Sequence, residues 1–161
     1  AFLVLRATGL GLDPAFAPFV LVGMSIVYGF GAYPAGALSD RLSARALVVA
    51  ALIALCLAEA TLAAATGLPI VFAGVALWGA HMALTQGLMS KLVADTAPES
   101  LRGTAFGLFN IASAVGLLVG NSTFGAIWSA SGPLAAYAIF AGGSAIVAAI
   151  AYAALAPQRQ A

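Results

Sequence analysis

The sequence predicts an all-α membrane protein, an antiparallel bundle of transmembrane helices forming a single domain over residues 1–161. Three observations predict it. Charged residues make up only 7% of the chain and hydrophobic ones 63%, whereas a soluble domain needs roughly a quarter charged residues to solvate its surface. Five apolar runs reach the about 20 residues that cross a hydrocarbon core at 1.5 Å rise per residue. Of all the acidic and basic residues, only Glu59 falls inside one of these runs.

The elements follow in order. Residues 1–7 read as a stub, the end of a helix whose beginning precedes the sequence. The first span is expected at 16–38, the second at 46–66, the third at 69–90, the fourth at 104–129 and the fifth at 134–156. Short connections (Ser39 to Arg45, Thr66 to Pro69, Lys91 to Gly103, Ala130 to Pro133) turn each helix back against the one before. The runs are apolar on every face, and they exceed the alternating segments of a membrane β-barrel.

Basic residues orient the bundle. Arg41 and Arg45 follow the first span, Lys91 and Arg102 the third, and Arg159 the fifth; only Arg6 falls on the other side. This asymmetry predicts a multi-pass protein of the cell (plasma or inner) membrane with its C-terminus in the cytoplasm. Small residues three or four apart along one helix face mark close helix approaches. Ser25, Gly29, Ala32 and Gly36 form one such stripe, Gly79, Ala83 and Gly87 a second. Gly103 with Gly107 and Gly116 with Gly120 mark the fourth span.

Two loops carry a family resemblance. Gly36-Ala37-Leu38-Ser39-Asp40-Arg41-Leu42-Ser43-Ala44-Arg45 resembles the cytoplasmic loop signature G-x-x-x-D-R-x-G-R-R of the major facilitator superfamily, matched at Gly36, Asp40, Arg41 and Arg45. Ser43 and Ala44 depart from it, as is common in the second copy of that signature. The stretch Asp95 to Gly107, with Pro98, Arg102, Gly103, Ala105 and Gly107, looks like the P-x-x-x-R-G-x-A-x-G segment between helices ten and eleven of these transporters. The resemblance implies the C-terminal six-helix half of a twelve-helix secondary transporter, with its first helix truncated and its N-terminal half as partner. It implies transport of a small-molecule substrate by alternating access, ion-coupled, with no cofactor. The helix-five motif that distinguishes many efflux carriers would lie outside this sequence.

Physical chemistry gives the first loop a task. Asp40 ends its helix at the negative pole of the dipole, which disfavours a carboxylate. Arg41 or the N-terminus of a helix from the other half is expected to compensate it, and the resemblance implies that such an acid latches the cytoplasmic side shut. The bland alternative is a solvated loop whose arginines fix topology. Thr96 and Glu99 have the spacing of a capping box, with Pro98 in the first turn, so the fourth helix is expected to begin near Ala97. Arg102 then faces either the other half or lipid phosphates.

Polar residues within spans are functional candidates, because charge near the bilayer centre is costly. His81 lies about 18 Å from the outer end of its span, on one face with Trp78 and Thr85. It is a candidate for a substrate or proton path, or else a structural hydrogen-bonding group. Glu59 is a doubtful coupling candidate, since the helix it resembles faces lipid; it is expected to reach outward or to sit protonated. Asn110, Ser113 and Asn121 form a polar stripe on the fourth span, either a cavity wall or helix-to-helix hydrogen bonds.

Several classes are excluded. Six scattered Lys and Arg at net charge +1 supply no nucleic-acid surface. The lone Cys56 forms no internal disulfide, no metal-ligand cluster or phosphate loop appears, and no enzyme constellation surrounds His81. The resemblance of the two loops implies transport rather than catalysis. A non-transporting assembly factor or sensor, and a membrane-embedded enzyme using His81 and Glu59, stand as alternatives.

Overall fold

A computed structural model describes residues 2–154. Ala1 of the stub, the last two residues of the predicted fifth span and Arg159 lie outside the described residues. Five α-helices and two short 3-10 turns make up the chain, with no strand among the described residues. They are α1 (Phe2–Gly9), α2 (Ala17–Ser39), α3 (Ala44–Ala63), α4 (Leu68–Thr96) and α5 (Arg102–Ala154). Four are long and apolar enough to cross a membrane, and α5 does so twice.

The double crossing comes from one residue. Gly132 has φ 82° and ψ 175°, a conformation essentially reserved for glycine, and Pro133 then opens the second limb with its φ already helical. Limbs 102–131 and 133–154 fold back on each other. Trp128 and Phe124 meet Tyr137 with ring centroids 6.0 and 4.9 Å apart. The predicted loop from Ala130 to Pro133 is thus a single non-helical residue.

Helix α4 extends six residues past its predicted end at 90. Its 29 residues span about 43 Å, well beyond a hydrocarbon core of about 30 Å, so one end stands clear of the bilayer. The predicted capping box does not form. Thr96 Oγ1 donates to Leu92 O at 2.6 Å, because α4 continues through Thr96 and presents that carbonyl within reach. Pro98 instead caps a 3-10 turn over Glu99–Leu101, without a side-chain cap bond, and α5 starts at Arg102.

Chain order and packing order differ, because the consecutive helices α2 and α3 barely touch. α2 packs on α4, α4 on α3, and α3 on α5. α2 and α4 run parallel, as Gly23 lies against Phe72 and Gly31 against Ala83. α3 is antiparallel to both partners: Leu62 meets Gly74, and Arg45 stacks over Tyr152, 4.1 Å from guanidinium carbon to ring centroid. The close-packing glycines are Gly31, Gly74 and Gly79. Gly29 and Gly36 of the predicted first stripe, Gly87 of the second, and Gly103, Gly107, Gly116 and Gly120 all face open space.

Charges mark two ends. At one, Lys91 Nζ pairs with Asp40 Oδ1 at 3.2 Å, which places the Arg41–Arg45 loop beside the end of α4. At the other, Arg6 donates to three carbonyls that close α3, those of Leu62 (3.0 Å), Ala63 (3.2 Å) and Ala65 (2.7 Å). A cation there answers the helix's negative pole and its unpaired carbonyls together.

Candidate functional site

Two of the hollows among the described residues bear on function. One, of about 640 Å³, lies between α4 and the start of α5 near the Lys91 end and is walled almost wholly by apolar side chains such as Met89, Leu101 and Phe109. The other, of about 470 Å³, lies at the centre, where α1, α2, α3, α4 and both limbs of α5 converge. Only the central one brings ionisable groups together, so it is the candidate site.

Its walls combine rings with a few polar atoms. Phe2, Trp78, Phe124, Tyr137 and Phe140 contribute aromatic surface, and Glu59, His81 and Asn121 contribute polarity. α4 supplies Trp78 and His81 from one face, three residues apart, as helical spacing requires. Their ring centroids are 6.5 Å apart, edge to face. His81 Nδ1 lies 2.8 Å from Ala51 O. A carbonyl only accepts, so Nδ1 carries the proton and Nε2 keeps its lone pair in the neutral ring. The Thr85 hydroxyl donates to the His81 carbonyl one turn back. Thr85 is therefore a local backbone partner and does not line the cavity.

Glu59 differs from its expected setting. It neither faces lipid nor reaches outward, and it is only 2% exposed. Its Oε2 accepts from the Ser144 hydroxyl at 2.8 Å, and it lines the cavity with His81. The physical reason is helix order: α3 is sandwiched between α4 and the second limb of α5, and Glu59 lies on the covered side while Ile53 and Leu57 keep the open one.

The predicted polar stripe divides. Asn121 lines the cavity, whereas Asn110 and Ser113 do not, and Asn110 is exposed. Tyr137 was not among the expected residues. It is 1% exposed, and its hydroxyl has no hydrogen-bond partner among the described residues. A phenol within an apolar run is the signal that could have marked it, since such an O–H seeks a partner.

The loop residues gather at the Lys91 end, remote from this cavity. Asp40 is compensated within the chain by Lys91, whose ammonium also donates to Ser39 O at 3.3 Å; Arg41 stays exposed. Gly36 lines a small cleft between α2 and α4 with Gly87. Arg45 rests on Tyr152, and Arg102 approaches Glu99 at 4.0 Å. No group of three or more potential metal ligands occurs among the described residues.

Comparison with known proteins gives one match. The family model of the Major Facilitator Superfamily covers residues 1–161. No curated protein and no solved structure matches the chain.

Proposed function

We propose, from the premise that the chain belongs to the Major Facilitator Superfamily and is a multi-pass membrane transporter of that kind, that it serves as the C-terminal half of a twelve-helix, ion-coupled carrier. It moves a small solute by alternating access, the two halves rocking about a site near the midplane. The observation that carries this reading is the central cavity, where Glu59, His81, Asn121 and Tyr137 interrupt an otherwise apolar interior. Polar groups at that depth are costly, which makes them functional candidates.

His81 is the proposed proton carrier. With Nδ1–H engaged by Ala51 O, Nε2 is the nitrogen left to take up a proton. Asp40 is the proposed latch: its pair with Lys91 is exposed, so a helix of the other half can compete for either partner. The first limb of α5 leaves Leu108, Ile111, Leu117 and Leu118 exposed, which supports an N-terminal half or lipid as its cover. The Asp40–Lys91 end is assigned to the cytoplasm of the cell membrane by its four basic residues.

Sidedness of labelling tests the proposal. In the assembled transporter, a cysteine replaces Asn121 in a Cys56→Ser background and meets an impermeant thiol reagent from each side in turn. Alternating access predicts reaction from both sides, with the balance moved by a proton gradient. Reaction from one side only, under every gradient, refutes it and favours a static assembly protein.

A further inference from the structure

We propose that the central cavity takes a hydrophobic organic cation, held by the Glu59 carboxylate and by the ring faces of Trp78, Phe124 and Phe140. Calling that ligand a transported substrate rests on the transport reading above.

The chemistry of the lining decides the ligand class. Glu59 is the one acid in the wall, and neither Lys nor Arg joins it. An anionic ligand would meet that carboxylate and find no fixed cation. A polyhydroxylated solute needs donors and acceptors around its whole perimeter, and most of this wall is ring, Leu or Met. A hydrophobic cation satisfies both halves of the wall. Its charge meets Glu59, only one of whose oxygens is engaged by Ser144 among the described residues, and its body lies against aromatic faces that attract cations.

The rings are already arranged for it. Phe124 stands edge to face with both Tyr137 and Phe140, with centroids 4.9 Å apart in each case. The arrangement is held by packing before any ligand arrives, which lowers the entropic cost of binding. The volume of about 470 Å³ falls in the range of about 300–1,000 Å³ that suits a drug-sized molecule. Glu59 also comes from a helix whose neighbours cover it on both sides, so its presence in the wall is not incidental to an exposed face.

Tetraphenylphosphonium and tetraphenylborate share shape and differ in the sign of their charge. Equilibrium binding of each to the purified chain in detergent tests the proposal without any gradient. The expected result is saturable binding of the cation, none of the borate, and affinity for the cation weakened roughly tenfold or more by Glu59→Gln. Trp78→Ala is expected to weaken it as well. Borate bound as tightly as the phosphonium overturns the proposal, and that comparison needs no variant to fold. Unchanged cation affinity in a folded Glu59→Gln protein overturns it too. Cation binding with one-sided labelling at position 121 would remove transport and keep the ligand class; two-sided labelling without cation binding would remove the ligand class alone.

Discussion

Replacing Gly79 with alanine puts a methyl group into the contact between α2 and α4. A Cβ at this position would stand 2.7 Å from Met24 O, 3.0 Å from Val27 Cβ and 3.3 Å from Tyr28 N. Two of the three are backbone atoms, so no rotamer change relieves the clash. A close carbon-to-oxygen contact needs about 3.3 Å, and the helices must therefore separate by roughly half an ångström. That forfeits dispersion contacts along the seam, in a setting where packing rather than water expulsion holds helices together. Overpacking of this kind costs about 1–3 kcal/mol, against up to about 1 kcal/mol gained from the better helix propensity of alanine. The expected net loss is about 1–2 kcal/mol. Gly87 is the internal control: it lies on the same helix, and an added Cβ there meets nothing within 4 Å, so Gly87→Ala should be neutral or stabilising. The assay is reversible unfolding in mixed micelles, followed by tryptophan fluorescence, with Trp78 reporting from the position next to Gly79. Equal stability of Gly79→Ala and Gly87→Ala would refute the close α2–α4 contact on which the helix order rests.

Two further outcomes are expected. Arg6→Ala removes three charge-assisted hydrogen bonds to the end of α3 and should lower stability by about 2–3 kcal/mol; Arg6→Lys should recover part of this, because an ammonium lacks the guanidinium fork. Thermal melting of the three proteins checks it, and a silent Arg6→Ala would show that Arg6 is not anchored there. Asp40→Asn and Lys91→Ala break an exposed pair worth about 0–1 kcal/mol, so melting should barely move. Labelling at position 121 from the cytoplasmic side should nevertheless increase in both if the pair takes part in the latch, and an unaltered ratio would count against that role.

The membrane crossings were legible because each is a predominantly apolar run, and lipid imposes length directly on such runs. The Asp40 loop was legible as a pattern, but its partner was not: Lys91 lies 51 residues away, and its proximity follows only from α2 and α4 running side by side. Glycine spacing showed that close approaches exist. It did not show which face meets a neighbour, so Gly79 was placed in a contact it makes while Gly29 and Gly36 were assigned one that Gly31 makes. Glu59 was misplaced for a related reason. Likeness to a lipid-facing family helix says nothing of a side chain that reaches between α3 and the second limb of α5. The far end of α4 was missed because hydropathy sees a helix only while it stays in oil, and Lys91, Asp95 and Thr96 are helical beyond it.

The interleaved helix order has a consequence for synthesis. α2 and α3 emerge one after the other, yet they barely touch and both pack on α4, so the pair stays unpacked until a third helix inserts between them. Glu59 lacks its hydrogen-bond donor for longer still. Ser144 is made 85 residues later, a delay of about 4–17 s at about 5–20 residues per second. Through that interval the nascent acid lacks the Ser144 hydroxyl, and a message cut short after α4 would yield a membrane protein with Glu59 stranded.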